Sequence, residues 1–224
     1  MLVSIVIPVL NEAQLMRSMI AALKPLRGQF EIVVADGGSA DESVALAESW
    51  GVRVIVAPRG RGQQMNAGAA AASGDVLLFL HADTNLPENV FALIAAALQS
   101  PDVCGGNFNL RFAGTSWGAK ILTRIYPLLR WLGLVYGDSA IFVRRSVFEA
   151  VDGYRDMPLF EDCDLYQRLR HTGQFVCLPE YATTSSRRFE GRFLRTFARW
   201  AMLQLLYWLG IAPQRLAQMY RIVR

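Results

Sequence analysis

The chain has 224 residues, 53% hydrophobic and 19% charged, which excludes a disordered chain and fits one domain with a full core and at most a small appendage. A net charge of +4 is a mild bias that suits anionic ligands such as nucleotide diphosphates or lipid headgroups, and it is too weak to argue for nucleic-acid binding. Cys104, Cys163 and Cys177 are scattered, match no CxxC or zinc spacing, and read as buried free thiols of a reducing cytosol.

The opening MLVSIVIPVLNE lacks a basic n-region and a small-residue cleavage site, so it is not expected to be a signal peptide. Residues 3–9 are an apolar, β-branched run that predicts a buried parallel strand. From Glu12 to about Leu26 the apolar residues Leu15, Met19, Leu23 and Leu26 recur at helical spacing. Residues 30–35 predict a second strand, and Ser39-Ala40-Asp41-Glu42 reads as a capping box opening a helix that runs to about Trp50. Residues 52–57 predict a third strand. An Ala-rich helix from Gln63 to Ala72 and an apolar strand over 76–80 follow. Pro87 is expected to open the next helix, with Val90, Ile94 and Leu98 on one face.

This βα alternation predicts an α/β fold with a doubly wound, mainly parallel sheet. Ligands of such sheets bind at the carboxyl ends of the strands. Those ends carry Asn11-Glu12, Asp36-Gly37-Gly38, Pro58-Arg59 and His81-Ala82-Asp83, so polar and acidic residues converge on one rim.

The second half has a different texture. Residues 106–112 alternate and predict a half-exposed strand, and 139–143 predict an apolar one. A helix is expected from about Asp162 to His171, ending at Gly173, then a last strand over 174–178. From about Arg192 the chain reads as one or two helices rich in Phe, Trp, Leu and Arg.

Several segments have the residue types for chemistry. Asp83, just past a buried strand, could hold Mg2+ or Mn2+, which prefer carboxylate and phosphate oxygens, or it could simply cap the next turn. Glu161-Asp162-Cys163-Asp164 places three carboxylates at a helix start, either as dipole partners or with one acting as general base. Asp36 at a strand end can accept hydrogen bonds from a base or ribose, and Gly37 allows close approach. Arg59-Gly60-Arg61-Gly62, just before a helix, is a plausible phosphate seat that matches neither the Walker nor the Rossmann fingerprint. His171, expected in a last helical turn, is explained by the helix dipole alone.

In order, these segments resemble family 2 glycosyltransferases of the GT-A fold. The likeness runs over residues 2–180, through Ser4–Glu12, Asp36–Asp41, Asn66-Ala67-Gly68 with Ser73-Gly74-Asp75, His81-Ala82-Asp83, and Gly153-Tyr154 with Glu161-Asp162. It implies an inverting transferase that moves a sugar from a UDP- or GDP-linked donor to an unidentified acceptor. It implies a donor site built from Pro8, Asn11, Glu12, Asp36, Gly37, Arg59, Gln63, Asn66, His81, Ala82, Asp83 and Arg188. Asp83 would bind Mg2+ or Mn2+, and Asp162, with Glu161 beside it, would take the acceptor proton. One departure stands out: His81 occupies the first acidic position of the family's DxD. Hard cations prefer oxygen, so a non-ligand role is expected for it. The phrase Phe79–Thr84, with Arg187-Arg188-Phe189, is similar to a bacterial branch associated with radical-SAM, selenium or arsenosugar gene clusters. Residues 1–190 are read as the transferase domain, with a nucleotide half (1–100) and an acceptor and base half (101–190), and 191–224 as a helical extension.

Residues 200–212 are nearly all apolar, yet thirteen residues are too few for a span of about 20. With residues 117–135 they read as interfacial helices beside basic residues, or equally as a dimer interface or core-covering helices. The expected location is cytoplasmic, peripheral on the inner membrane face. Two other functions compete. A nucleotidyltransferase would need a Gly-rich motif with Arg and Lys after the first strand, where Asn11-Glu12 stands instead. A degenerate transferase acting as a scaffold draws support from His81 and is opposed by Asp83 and Asp162.

Overall fold

The computed structural model describes residues 1–189 and 191–220, apart from the Arg188 side chain. An eight-stranded sheet runs in the order β3-β2-β1-β4-β7-β6-β8-β5. Its strands are β1 Val3–Val9, β2 Phe30–Asp36, β3 Arg53–Val56, β4 Val76–Phe79, β5 Thr84–Asn85, β6 Val103–Phe112, β7 Ile141–Arg144 and β8 Gln174–Thr184. The helices are α1 Ala13–Leu23, α2 Ser43–Ser49, α3 Arg61–Ala71, α4 Val90–Ala97, α5 Trp117–Trp131, α6 Arg145–Ala150, α7 Glu161–Leu169, α8 Phe193–Trp208 and α9 Pro213–Met219.

Strands β1 to β4 are parallel, and the chain winds out through β2 and β3 before returning to place β4 on the other side of β1. The crevice at the carboxyl ends of β1 and β4 is therefore a topological switch point, where open α/β sheets bind ligands. Pro8 is tolerated in a central strand because the ladder with β4 ends at Val6, so its missing N–H leaves no gap there. The sheet is covered on both faces. Ile5, Ile7 and Leu78 pack against α1 and α4, whereas Val6, Leu77 and Phe79 pack against α3 and α6. Helix α3 sits so close to β1 that a Cβ at Gly68 would lie 2.3 Å from Val6 Cγ1.

In the second half β7 runs antiparallel to β4 and reaches the same rim from the opposite direction, whereas β6 and β8 run with β1 to β4. β7 pairs with β4 so that Ile141 lies opposite Phe79, which delivers the 3-10 turn Gly137–Ser139 to the carboxyl end of β4. β5 pairs with the end of β8 through Thr84 and Thr184, which brings residues 185–187 beside Asp83.

Several local expectations are corrected. The capping box does not form: the Ser39 hydroxyl accepts from Asn11 N–H, Asp41 holds the backbone of Ala13 and Ser43, and α2 begins only at Ser43. Met16, not Leu15, faces the core of α1, which ends at Leu23, before Pro25. α4 starts at Val90, after Pro87. β6 lies inside the sheet and is buried over Val103–Phe108, so the half-exposed face expected over 106–112 appears only from Asn109 to Phe112, where Leu110 is buried and Arg111 exposed. α7 ends at Leu169, leaving His171 beyond its last turn, and β8 continues to Thr184.

Candidate active site

At the end of β1, Asn11 takes a left-handed conformation (φ 54°) that short polar side chains tolerate. Its side-chain oxygen accepts from Ala40 N–H at 2.8 Å. Asp36, at the end of β2, accepts from Gly38 and Ser39 N–H at 3.0 Å each. These two residues fold the 37–40 loop into a fixed lip. Gln64, which sequence reading passed over, is buried and donates to Val9 O at 2.7 Å and Ala35 O at 2.8 Å, pinning α3 to the ends of β1 and β2. Gly37 has to be glycine beside it, since a Cβ would lie 2.9 Å from the Gln64 amide carbon.

The remaining donor-site candidates are distributed as follows. Pro8, Glu12, Gln63 and Ala82 are half-buried along the rim, and Arg59 is exposed. The Asn66 amide is engaged at both ends by the Tyr154 backbone, at 2.7 and 2.8 Å, so it braces the turn that leads toward α7. Arg187 Nη2 lies 3.8 Å from Asp83 Oδ2. The Arg188 side chain lies outside the described residues.

The acidic centre lies at the end of β4. His81 is buried, and its Nδ1 is 2.7 Å from Asp138 Oδ1. Asp162 is also buried, and its Oδ2 accepts from Gly137 N–H at 3.0 Å. Gly137 is wedged between the two: a Cβ there would lie 2.6 Å from His81 Nε2 and 2.7 Å from Asp162 Oδ2. His81 Nε2 and Asp162 Oδ1 are both buried without a hydrogen-bond partner inside the protein. Glu161 is buried 3.5 Å from Arg61 Nη1.

Burial pushes the Asp162 carboxyl up to about 7, and Glu161 adds to the rise while His81 and Arg61 oppose it. Burial is the largest influence on His81 and lowers its pKa, but the hydrogen bond to Asp138 and the negative charges of Asp138 and Asp162 together outweigh burial and Arg61, and the pKa is raised. Phe160, immediately before Glu161, holds a left-handed backbone (φ 65°), which is costly for a bulky residue and is secured by its stacking on Tyr207 at 4.7 Å.

One ligand atom from each of His81, Asp83 and Asp138 lies within 4.8 Å of the others, a donor set that could hold a metal ion. Two carboxylates supply the hard oxygen ligands that Mg2+ or Mn2+ prefer. Asp138 thus restores a second acid where the sequence has His81 in place of one. Its only local signal is a Gly-Asp pair, and the sheet pairing that brings it to His81 is invisible at that range. Of the Arg59–Gly62 loop, Arg61, the first residue of α3, is the arginine that reaches the acidic centre, through Glu161.

A mixed α/β sheet with an acidic cluster across the switch point of β1 and β4 defines a GT-A glycosyltransferase fold. Solved structures with the same fold include the following two. The mannosyltransferase PcManGT of Pyrobaculum calidifontis, in complex with GDP-Man and Mn2+, superposes with TM-score 0.71 at 16% identity over 91% of this chain and 61% of that one. S. aureus TarS in complex with UDP-GlcNAc gives TM-score 0.68 at 16% identity over 87% and 61%. The chain belongs to glycosyl transferase family 2, whose family model matches residues 4–152. It is 34% identical over 192 residues to the undecaprenyl-phosphate 4-deoxy-4-formamido-L-arabinose transferase of Pseudomonas savastanoi pv. phaseolicola, covering 78% of this chain and 56% of that one. It is 32% identical over 163 residues to a PGL/p-HBAD biosynthesis glycosyltransferase of Mycobacterium bovis, covering 67% and 62%. The chain therefore spans little more than half the length of these curated relatives.

Proposed function

We propose that this protein transfers a sugar, with inversion, from a nucleoside diphosphate sugar to an acceptor hydroxyl. The observation that carries the reading is the pairing of a possible cation site (His81, Asp83, Asp138) with a buried, unsatisfied Asp162 across the single residue Gly137. Family membership supports the donor class, and the nucleotide sugars named with the two structural relatives support a UDP- or GDP-linked donor.

Asp83 and Asp138 would hold Mg2+ or Mn2+, with His81 kept in place by Asp138. A bound cation would offset the charge building on the departing diphosphate. The protein's own groups do the rest. The lip shaped by Asn11 and Asp36 receives the nucleoside, with Pro8, Glu12, Gly37 and Gln63 around it. Arg61 and Arg187 add positive charge beside the acids. Asp162 takes the proton as the acceptor oxygen attacks the anomeric carbon. The bond from that carbon to the diphosphate oxygen breaks in the same displacement, and the nucleoside diphosphate leaves with its electron pair. A carboxyl near pH 7 is well matched to this task, since a base works best with a pKa close to the operating pH.

Residues 1–190 would carry this reaction. The Phe79–Thr84 phrase supports membership of the selenium- or arsenosugar-associated branch. Calorimetry with UDP- and GDP-sugars tests the proposal: binding should require Mn2+ or Mg2+ and be lost in Asp83→Ala. Cation-independent binding, or none with any donor, refutes it.

A further inference from the structure

Helix α8 has three distinct sides. Phe193, Leu203 and Gln204 are buried against the domain. Leu194, Met202, Leu205 and Leu209 recur at i, i+8, i+11 and i+15, with Trp208 beside them, and all five are between 45% and 71% exposed. Arg195 and Arg199, both exposed, border that apolar stripe along one edge. On α5 the same pattern appears: Trp117, Leu128 and Trp131 are exposed, the last at 80%, with exposed Lys120 and Arg124 on the same helix. The two helices join where Trp117 meets Phe193, ring centroids 4.6 Å apart.

Charge decides what such a surface can meet. Residues 103–137 and 191–224 contain no Asp or Glu. A second copy pressed onto the same face would set arginine against arginine with no acid to compensate. An anionic lipid surface would meet those arginines with opposite charge and take up the leucines and tryptophans between them. No helix among the described residues is long and apolar enough to cross a membrane. A helix with exposed aliphatic and aromatic residues on one arc and arginines at its edge lies in the interface plane.

We infer that the exposed faces of α5 and α8 dock this protein on the surface of a bilayer containing anionic lipid. The docking helix touches both segments that carry the acidic centre. Tyr207 stacks on Phe160, the residue before Glu161-Asp162. Gln204 Oε1 accepts from the Tyr136 hydroxyl at 2.8 Å, one residue before Gly137. The membrane face and the proton-accepting side of the site are thus two sides of one helix, and an acceptor anchored in the bilayer would approach from that side.

The test is co-sedimentation of the whole protein with vesicles of phosphatidylcholine alone and with added phosphatidylglycerol, without nucleotide or metal. Binding should require the anionic lipid and weaken steeply at high salt. Arg195→Glu with Arg199→Glu should lower the partition constant about tenfold or more while leaving the thermal midpoint unchanged, since both side chains are exposed. Leu205→Ser with Trp208→Ser should also lower it. Equal binding to both vesicle types, no binding to anionic vesicles, or a dimer in sedimentation velocity that dissociates in Leu205→Ser/Trp208→Ser overturns the inference. None of these outcomes depends on sugar transfer, so the docking surface and the catalytic reading stand or fall separately.

Discussion

Replacing Asp162 by asparagine should make the protein more stable and nearly inactive. The carboxyl rises from an ordinary 3.8 to about 7, roughly three units, chiefly because it is buried and secondarily because Glu161 is adjacent. A carboxyl raised in the folded state favours folding while protonated, so its effect on stability is lost as pH climbs from about 4 through about 7. An ionised, buried Asp162 therefore costs the fold on the order of a few kcal/mol at pH 8, a cost absent near pH 4. An asparagine still accepts from Gly137 N–H, keeps the volume and never ionises. The variant should therefore melt higher than wild type at pH 8, with the gap closing toward pH 4. About 2–4 °C per kcal/mol for a chain of this size makes the difference easily measured by calorimetry in chelator. In wild type, kcat/KM should rise with pH through a midpoint near 7, and in Asp162→Asn turnover should fall at least about a hundredfold. If Asp162→Asn gains no stability at pH 8 relative to pH 4, ionised Asp162 does not burden the fold; if it keeps its turnover, Asp162 is not the base.

Gly137→Ala places a methyl 2.6–2.7 Å from both His81 and Asp162, so it should cost about 1–3 kcal/mol in urea melts and most of the activity. Wild-type turnover in this variant refutes the wedge. Asp138→Asn should weaken Mn2+ binding by about 10–100-fold in calorimetry while the fold survives, and unchanged affinity removes Asp138 from the cation site. Gln64→Leu removes two buried hydrogen bonds, one to Ala35 O and one to Val9 O, which still accepts from Gly37 N–H, and should destabilise by about 1–3 kcal/mol in thermal unfolding. A loss below about 0.5 kcal/mol contradicts that accounting.

The first hundred residues were legible because the signals there are local. β-branched runs bounded by Asn, Gly and Pro gave β1 to β4 to within a residue or two, and the winding of a parallel sheet fixes where their carboxyl ends meet. Ser39 shows where local reading stops: a capping pattern is only an offer of hydrogen bonds, and here Asn11, twenty-eight positions away in sequence, takes the offer instead. β6 misled for a related reason. Its alternation implies one wet face, but inside the sheet the glycines and asparagine between its apolar residues are buried as far as Phe108.

Asp138 was out of reach for a deeper reason. In a parallel sheet each carboxylate at the rim follows its own strand, so sequence position predicts place. The antiparallel strand β7 reverses that relation and brings its leading turn to the rim, so Asp138 reaches His81 from before a strand rather than after one. That reversal also explains how a histidine can occupy an acidic position without stripping the site of its second acid. His81 Nδ1 is held by Asp138, which fixes the ring and leaves Nε2 against Gly137 beside Asp162. The carboxylate missing from residue 81 is supplied 57 residues later, and the histidine links it to the side of the site where the acceptor proton would be taken. His81 Nε2 and Asp162 Oδ1, on either side of Gly137 and without a partner inside the protein, sit at the same rim as the Asp83 and Asp138 carboxylates, and that convergence of groups favours a working site over a degenerate scaffold.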